Sequence, residues 1–220
     1  MSEPRETALP VPVASGQLTG VTGIVLAGGR ASRFGADKLR ATLDGRPILH
    51  LALDAVARIA PEVIVVVAPG ATPHLPDLAA SHLRVVHDPE PFGGPLVGLV
   101  AALATVRTPV ALVAGGDMPR LVPAVLARLL AALDPEAGSA LARPHAAILE
   151  VAGRVQPLPM ALVVAPALDT AQSLLARDRR SLRELLGSLD AALVPVADWM
   201  ALDPSGVTLV DIDRPADLET

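Results

Sequence analysis

Between Leu26 and Lys38 the chain reads Leu-Ala-Gly-Gly-Arg-Ala-Ser-Arg-Phe-Gly-Ala-Asp-Lys, an apolar run from Val21 that empties into glycines and cations. Glycine lacks a Cβ, so Gly28 and Gly29 could take positive φ and let successive N–H groups converge on one phosphate. Arg33 and Lys38 would supply mobile positive charge. Neither familiar phosphate loop fits the spacing. A P-loop needs Gly-Lys-Ser/Thr, whereas Gly35 is followed by Ala36, Asp37, Lys38 and Leu39; the dinucleotide pattern G-x-G-x-x-G fails because Gly28 and Gly29 are adjacent. Taken alone, the glycines are equally well explained by a surface turn between strand and helix.

Aspartates supply the complementary chemistry. Asp117 follows an apolar run and two glycines and precedes Met118-Pro119, so its carboxylate would project from a rigid base. A magnesium ion takes only one or two such carboxylates alongside substrate phosphates and waters; a turn or capping role for Asp117 is the competing explanation. Asp211 and Asp213 are expected to face opposite ways, with Asp213 the metal ligand and the other capping a helix begun at Pro215. Asp88, directly before a proline, is either a ligand contact or an ordinary turn residue. The five histidines show no metal spacing, Ser32 lacks triad support, and Ser181 opens a capping box with Glu184. Arg177, Arg179 and Arg180 form a solvated basic turn or a phosphate contact.

The elements that must position these groups follow from periodicity. Val21–Ala27, Glu62–Ala68, Leu83–His87 and Pro109–Ala114 are short apolar runs, and those of 21–27, 62–68 and 109–114 lack alternation, as in strands covered on both faces. Helical patterns at 48–59, 96–106 and 123–133 lie between or after them, with Pro47 expected at the first helical position and Asp44-Gly45 as a turn. This β-α alternation predicts an α/β, Rossmann-like three-layer fold with a mostly parallel central sheet and helices on both faces. Ligands bind outside the carboxyl ends of such strands, which is where the four unusual loops leave. Beyond residue 133 the pattern is less regular. Strands are expected at 140–143, 147–151, 160–165, 193–196 and 207–210, hairpin-like connections at Gly153 and Pro157, and a terminal helix from Pro215. Residues 1–20 are expected to be a disordered leader, and 21–220 one domain with a nucleotide-binding half (21–133) and an acceptor-binding half (134–220).

Composition excludes several alternatives. A net charge of −5 gives no basic field for nucleic acid, and two Phe, one Trp and no Tyr give no run of stacking platforms for its bases. The absence of cysteine removes disulfides, thiolate catalysis and Cys-type zinc sites, as is compatible with a cytoplasmic protein. The most apolar stretch, 92–116, is interrupted by Gly93, Gly94, Pro95, Arg107 and Pro109, so no membrane helix is expected. The core must be aliphatic.

Three segments in this order carry a family resemblance: Leu26-Ala27-Gly28-Gly29 through Asp37-Lys38, Gly94-Pro95-Leu96-Val97-Gly98-Leu99, and Gly116-Asp117-Met118-Pro119. Together with Arg154–Leu158, Arg179-Arg180-Ser181 and Asp211–Leu218 they resemble the nucleotidyltransferases that complete the molybdenum cofactor, in particular the guanylyltransferases. The resemblance implies transfer of GMP from GTP to the phosphate of molybdopterin with release of pyrophosphate, and Mg2+ as cofactor. It implies that Leu26, Ala27, Gly28 and Gly29 contact the nucleotide and that Lys38, with Arg33, holds phosphates. Asp88 would bind GTP and Asp117 magnesium. It also implies partners among cofactor-biosynthesis or molybdoenzyme-maturation proteins. Family members often carry asparagines where Asp211 and Asp213 stand, Thr where Arg214 stands, and an Asn contacting guanine near Ala68. Cytidylyl-specific relatives usually read Leu-Ala-Ala-Gly, so Gly28 favours guanine. The rival expectations are a same-fold cytidylyltransferase, a transferase with another phosphorylated acceptor, and a non-catalytic nucleotide-binding module.

Overall fold

The structure, a computed structural model, describes residues 11–12, 17–28, 41–76, 78, 82–134, 143–151 and 154–218. Its centre is a seven-stranded sheet. Strands β1 (Val11–Pro12) and β2 (Leu18–Thr19) form a small antiparallel pair ahead of β3 (Val21–Leu26). After it come the hairpin β4 (Thr42–Leu43) and β5 (Arg46–Pro47), helix α1 (Ile48–Ala57), β6 (Glu62–Val67), β7 (His82–His87) and α2 (Pro95–Leu103). The chain continues through β8 (Val110–Gly115), α3 (Pro123–Ala131), β9 (Ala146–Val151), β10 (Arg154–Val163), α4 (Val164–Leu175), α5 (Leu182–Ser188), β11 (Ala191–Val194) and α6 (Val196–Met200). None of the helices is long and apolar enough to cross a membrane, among the described residues.

In the sheet the order is β11-β9-β10-β8-β3-β6-β7, and β10 alone runs against its neighbours. The chain moves outward from β3 to β6 and β7, then returns to place β8 on the other side of β3. The order therefore reverses between β3 and β8, the kind of point where α/β sheets bind ligands. Strand β6 is buried from Val63 to Val67 and β8 along its whole length, because helices cover both faces. Alternate strand residues divide between two cores. Val25, Val63, Val65, Leu112 and Ala114 pack under α1 and α3, while Ile24, Ile64, Val66, Ala111 and Val113 pack under α2, α4 and α5. The expected three-layer fold is the observed one.

Local chemistry explains many boundaries. Asp44 and Gly45 both have positive φ (53° and 76°), as a two-residue hairpin turn requires, and Leu43 pairs with Arg46 across it. Pro95 and Pro123 open α2 and α3 at positions where a missing N–H costs nothing. Pro47 instead lies just before α1, in β5. Ser181 caps α5, its Oγ accepting the Arg183 N–H at 3.2 Å, while Glu184 accepts from Arg179 Nε at 2.7 Å.

Elsewhere the structure corrects the expectations. Residues 160–163 close β10, but Val164 begins α4, with no capping side chain at Val163 and no turn to mark the change. The strand expected at 193–196 is displaced to Ala191–Val194, where it pairs in parallel with β9, and Val196 opens α6. Residues 207–209 form a 3-10 turn although two of the three, Val207 and Thr208, are β-branched, because Thr208 N–H donates to buried Asp203 Oδ2 at 2.8 Å and Thr208 Oγ1 accepts from Val122 N–H at 3.1 Å. The terminal helix is a short 3-10 turn, Pro215–Leu218. Residues 140–142 lie outside the described residues and Arg143 is irregular. Gly153 is also outside them; β10 pairs with β9 across it, with an irregular register between Val155 and Met160 that takes in Pro157. Within the expected leader, Gln17 is buried with Nε2 bonded to Ala57 O at 2.7 Å, and Leu18 N–H donates to Ile59 O at 2.7 Å. That part is docked on α1.

Close approach of α1 to the sheet depends on Gly23, where an added Cβ would fall 2.3 Å from Val56 Cγ1. Gly23→Ala should therefore destabilise by about 1–3 kcal/mol through overpacking. At roughly 2–4 °C per kcal/mol for a chain of this size, thermal melts should register a fall of several degrees in Tm.

Candidate active site

Four strands deliver their carboxyl ends to one rim. Leu26 pairs with Gly115 in the β3–β8 ladder, and the segments beyond are stitched across the strands. Gly116 N–H donates to Leu26 O (2.9 Å), Ala27 N–H to Val66 O (2.7 Å), and Asp88 N–H to Val67 O (2.8 Å). Leu26 and Ala27 are half-buried and Gly28 is exposed. Gly29, Arg33 and Lys38 lie outside the described residues.

Gly28 is not in the left-handed region, contrary to the conformational reason first suggested for it. An added Cβ would sit 3.6 Å from Ala68 N and 3.7 Å from Val67 C, ordinary contact distances. Packing against the described residues therefore does not demand glycine at 28, and the space is open to a ligand on that side.

Asp117 stands at the other side of the reversal point, half-buried. Its carboxylate folds back over the end of β8, with Oδ1 2.5 Å from where a Cβ on Gly115 would lie. At Gly116 a Cβ would meet Leu49 Cδ1 at 3.1 Å and Ala27 Cβ at 3.3 Å. Two consecutive glycines thus let the strand end approach both its own aspartate and the loop that leaves β3. Met118, 2% exposed, fixes the following residue in the core.

The C-terminal segment reaches the same place through Ile212 N–H, which donates to Asp117 O at 2.9 Å. Ile212 is fully buried against Leu43 and Ile48, and both flanking aspartates are exposed. Asp211 and Asp213 therefore share a face, as residues two apart in extended chain must; the expectation of opposite faces was wrong. The N–H groups of Asp213 and Arg214 are received by Asp217 Oδ2 at 2.8 and 2.7 Å, so a carboxylate inside the terminal turn satisfies donors assigned beforehand to an upstream aspartate.

Asp88 occupies a different part of the rim. With β3 and β6 between β8 and β7, it lies three strand spacings from Asp117, about 14 Å at ~4.8 Å each. The two carboxylates cannot hold one ion, and they suit opposite ends of an extended ligand. Asp88 Oδ1 accepts Glu90 N–H at 3.0 Å, and Gly98 on α2 leaves room for Oδ2, 3.4 Å from where a Cβ would be. Among the described residues no group of three or more His, Asp or Glu forms a metal cage. A single firmly based carboxylate such as Asp117, with one neighbour from 211–213, does fit magnesium, which takes its remaining ligands from phosphates and water.

Arg180 was grouped in the sequence with Arg177 and Arg179 as a basic turn, and the structure gives it a specific task. Its Nη1 donates to Glu90 Oε2 (2.6 Å) and Gly93 O (3.2 Å), and its Nε to Asp178 Oδ1 (2.8 Å). The bonds to Asp178 and Glu90 raise its pKa further above the ordinary arginine value. This clasp joins residues 90 positions apart and has no local signal in the sequence.

Residues 23–193 match the family of MobA-like NTP transferase domains. A probable molybdenum cofactor guanylyltransferase from Chloroflexus aggregans is 36% identical over 205 residues, covering 90% of this chain and 92% of the relative. The molybdenum cofactor guanylyltransferase of Burkholderia ambifaria is 41% identical over 121 residues, 53% of this chain and 58% of its own. In three dimensions the chain is similar to molybdopterin-guanine dinucleotide biosynthesis protein A from Archaeoglobus fulgidus, with a TM-score of 0.68 at 21% identity over 90% of this chain and 95% of the other, a likeness of fold.

The two glycine positions separate packing from ligand space. Gly115→Ala should cost about 1–3 kcal/mol by forcing Asp117 and Met118 aside, whereas Gly28→Ala should leave stability within about 0.5 kcal/mol, both read by chemical denaturation.

Proposed function

The chain belongs to the MobA-like NTP transferase family, and on that basis we propose that it moves GMP from GTP to the phosphate of molybdopterin, releasing pyrophosphate. The observation that carries this proposal is the meeting of Asp117 with the Leu26–Gly28 segment where the strand order reverses. In the reaction an oxygen of the acceptor phosphate forms a bond to the α-phosphorus of GTP. The bond from that phosphorus to the bridging oxygen breaks, and its electron pair leaves with pyrophosphate. A phosphate monoester dianion is already nucleophilic, so no protein base is required. Catalysis then consists of alignment and charge neutralisation.

Residues Leu26 to Gly29 are assigned to the nucleotide, with Gly28 leaving its Cβ position to the ligand. Lys38, assisted by Arg33, neutralises the leaving pyrophosphate. Asp88 lies far enough from Asp117 to contact the nucleoside end of GTP. Asp117, with Asp213 as second carboxylate, would hold Mg2+, which supplies charge neutralisation between the phosphates. Asp211 shares the exposed face with Asp213 and is equally placed to serve. Residues 21–133 are assigned to the nucleotide and 134–220 to the acceptor, and the site of action to the cytoplasm. GTP and molybdopterin are the small-molecule partners, with cofactor-biosynthesis or molybdoenzyme-maturation proteins as candidate macromolecular ones.

Replacing Asp117 by Ala should lower magnesium-dependent GMP transfer by about 100-fold or more, with the circular dichroism spectrum retained; full activity would remove the metal assignment. Lys38→Ala should weaken GTP binding by roughly tenfold or more through loss of a phosphate contact, measured by calorimetry. GTP should raise Tm more than CTP, ATP or UTP at equal concentration with magnesium. A preference for CTP would favour a same-fold cytidylyltransferase.

A further inference from the structure

Asp88, assigned above to the nucleoside end of GTP, begins a loop under backbone strain. Asp88 N–H donates to Val67 O at 2.8 Å, Gly93 N–H donates to Glu90 O at 3.3 Å, and the chain enters α2 at Pro95. Between these points φ is positive at Phe92 (+62°) and at Gly94 (+91°). The left-handed region is costly for a bulky residue such as Phe92, and it persists where surrounding structure over-determines it. How this loop is held matters for Asp88, whose Oδ1 accepts the Glu90 N–H at 3.0 Å. Wherever the Glu90 backbone goes, that carboxylate turns with it.

Arg180, 90 positions further along the chain than Glu90, reaches the same loop. Its Nη1 donates to Gly93 O at 3.2 Å, a bond to the backbone, and to Glu90 Oε2 at 2.6 Å, a bond between side chains. Its Nε is engaged by Asp178 Oδ1 at 2.8 Å, so its own segment aims the guanidinium. Asp178, at φ +58°, and the Arg179 N–H, which donates to Leu174 O at 2.9 Å, turn the chain at the end of α4. Gly94 lets the two segments touch, with Arg180 O 3.3 Å and Arg180 Cβ 3.4 Å from where a Cβ would be. A planar fork of fixed donors suits three acceptors held at once, which the compact charge of a lysine does not. Glu90 thus stands between Arg180 and Asp88, accepting from the first with its side chain and donating to the second with its N–H.

We propose that Arg180 is a positioning residue for the nucleotide: through Glu90 and Gly93 it fixes the direction in which the Asp88 carboxylate faces the nucleoside end of GTP. The inference rests on the nucleotidyl-transfer function above and on Asp88 as a nucleotide contact within it. Asp88 Oδ1 is committed to Glu90, and Oδ2 lies beside Gly98, 3.4 Å from where a Cβ would be. A carboxylate accepts hydrogen bonds, so it takes an N–H or O–H of the nucleoside, and such bonds weaken steeply as their angle falls. In this role Arg180 does not touch GTP and acts at the end of the nucleotide away from the phosphates. It belongs to the half assigned to the acceptor, so a residue of that half sets a contact in the other.

The test uses the full chain with magnesium and measures the Kd of GTP and of inorganic tripolyphosphate by calorimetry. Asp88→Ala should weaken GTP binding about tenfold, and Arg180→Ala about fivefold. Once Asp88→Ala is present, adding Arg180→Ala should change the GTP Kd less than about twofold, because its route to the nucleotide has gone. Tripolyphosphate binding should stay within about twofold of the parent in Arg180→Ala. Glu90→Ala should reproduce the loss and Glu90→Gln, which keeps an acceptor oxygen, should restore the parent value. If Arg180→Ala does not fold by circular dichroism, Glu90→Ala takes its place, alone and with Asp88→Ala. The proposal is overturned if the GTP Kd of that variant stays within about twofold of the parent, or if its loss persists in full beside Asp88→Ala. It is equally overturned if tripolyphosphate binding weakens as much as GTP binding, which would make Arg180 a phosphate contact. Unchanged GTP binding in Asp88→Ala alone would remove the Asp88 assignment and this inference while leaving nucleotide binding in place. A parent chain that does not bind GTP would overturn the proposed function and this inference together, and is told apart because the parent itself fails.

Discussion

Parallel pairing of β3 with β8, which sets Leu26 opposite Gly115, fixes where everything else at the rim must be. Two strands far apart in sequence end at one level, and the chain departs from them on opposite sides of the point where strand order reverses. Leu26 and Ala27 at the end of β3 and the glycines that precede Asp117 therefore meet without either having to reach. Small residues make the pairing possible at its ends. Gly23 admits α1 against the strand, and Gly115 and Gly116 admit the Asp117 carboxylate and Ala27. Burial of Met118 and Ile212 on either side then holds Asp117 by both its own chain and the C-terminal segment.

An aliphatic core suits this design. Valine, leucine and isoleucine on alternate faces of β3, β6 and β8 build two separate cores, each covered by helices, so the strand ends are braced from above and below. A transfer that depends on alignment needs such bracing more than it needs reactive side chains. The elements proposed to hold the nucleotide cluster on β3, β6 and β7. On the other side of β8 stands β10, antiparallel to it, with its irregular stretch between Val155 and Met160 at the level where β8 ends.

Much of the fold could be read from the sequence because local pattern and tertiary environment agree there. The unbroken apolar runs at 62–68 and 109–114 became strands buried on both faces, and Asp44-Gly45 became the turn its chemistry demands. Failures arose where a distant partner decided the outcome. Helix α4 follows β10 without any turn residue, so the pattern of residues 160–165 gave no boundary. Residues 207–209 lost their strand preference to hydrogen bonds that Thr208 N–H donates to Asp203 and that Thr208 Oγ1 accepts from Val122. The place of Asp117 just beyond a buried strand was legible from the apolar run before it. The clasp made by Arg180 was not, because it depends on contacts between loops far apart in the chain. Asp211 and Asp213 teach a narrower lesson: the buried Ile212 between them was the clue that both face the same way.

In the proposed reaction this rim aligns an acceptor phosphate with the α-phosphorus of GTP. Isotope tracing examines that bond directly. With GTP labelled at the α-phosphorus, magnesium and molybdopterin, the label should appear in a dinucleotide product, while label placed at the γ-phosphorus should leave entirely in pyrophosphate. Recovery of γ-label in the acceptor, or of α-label only in free GMP, would contradict nucleotidyl transfer.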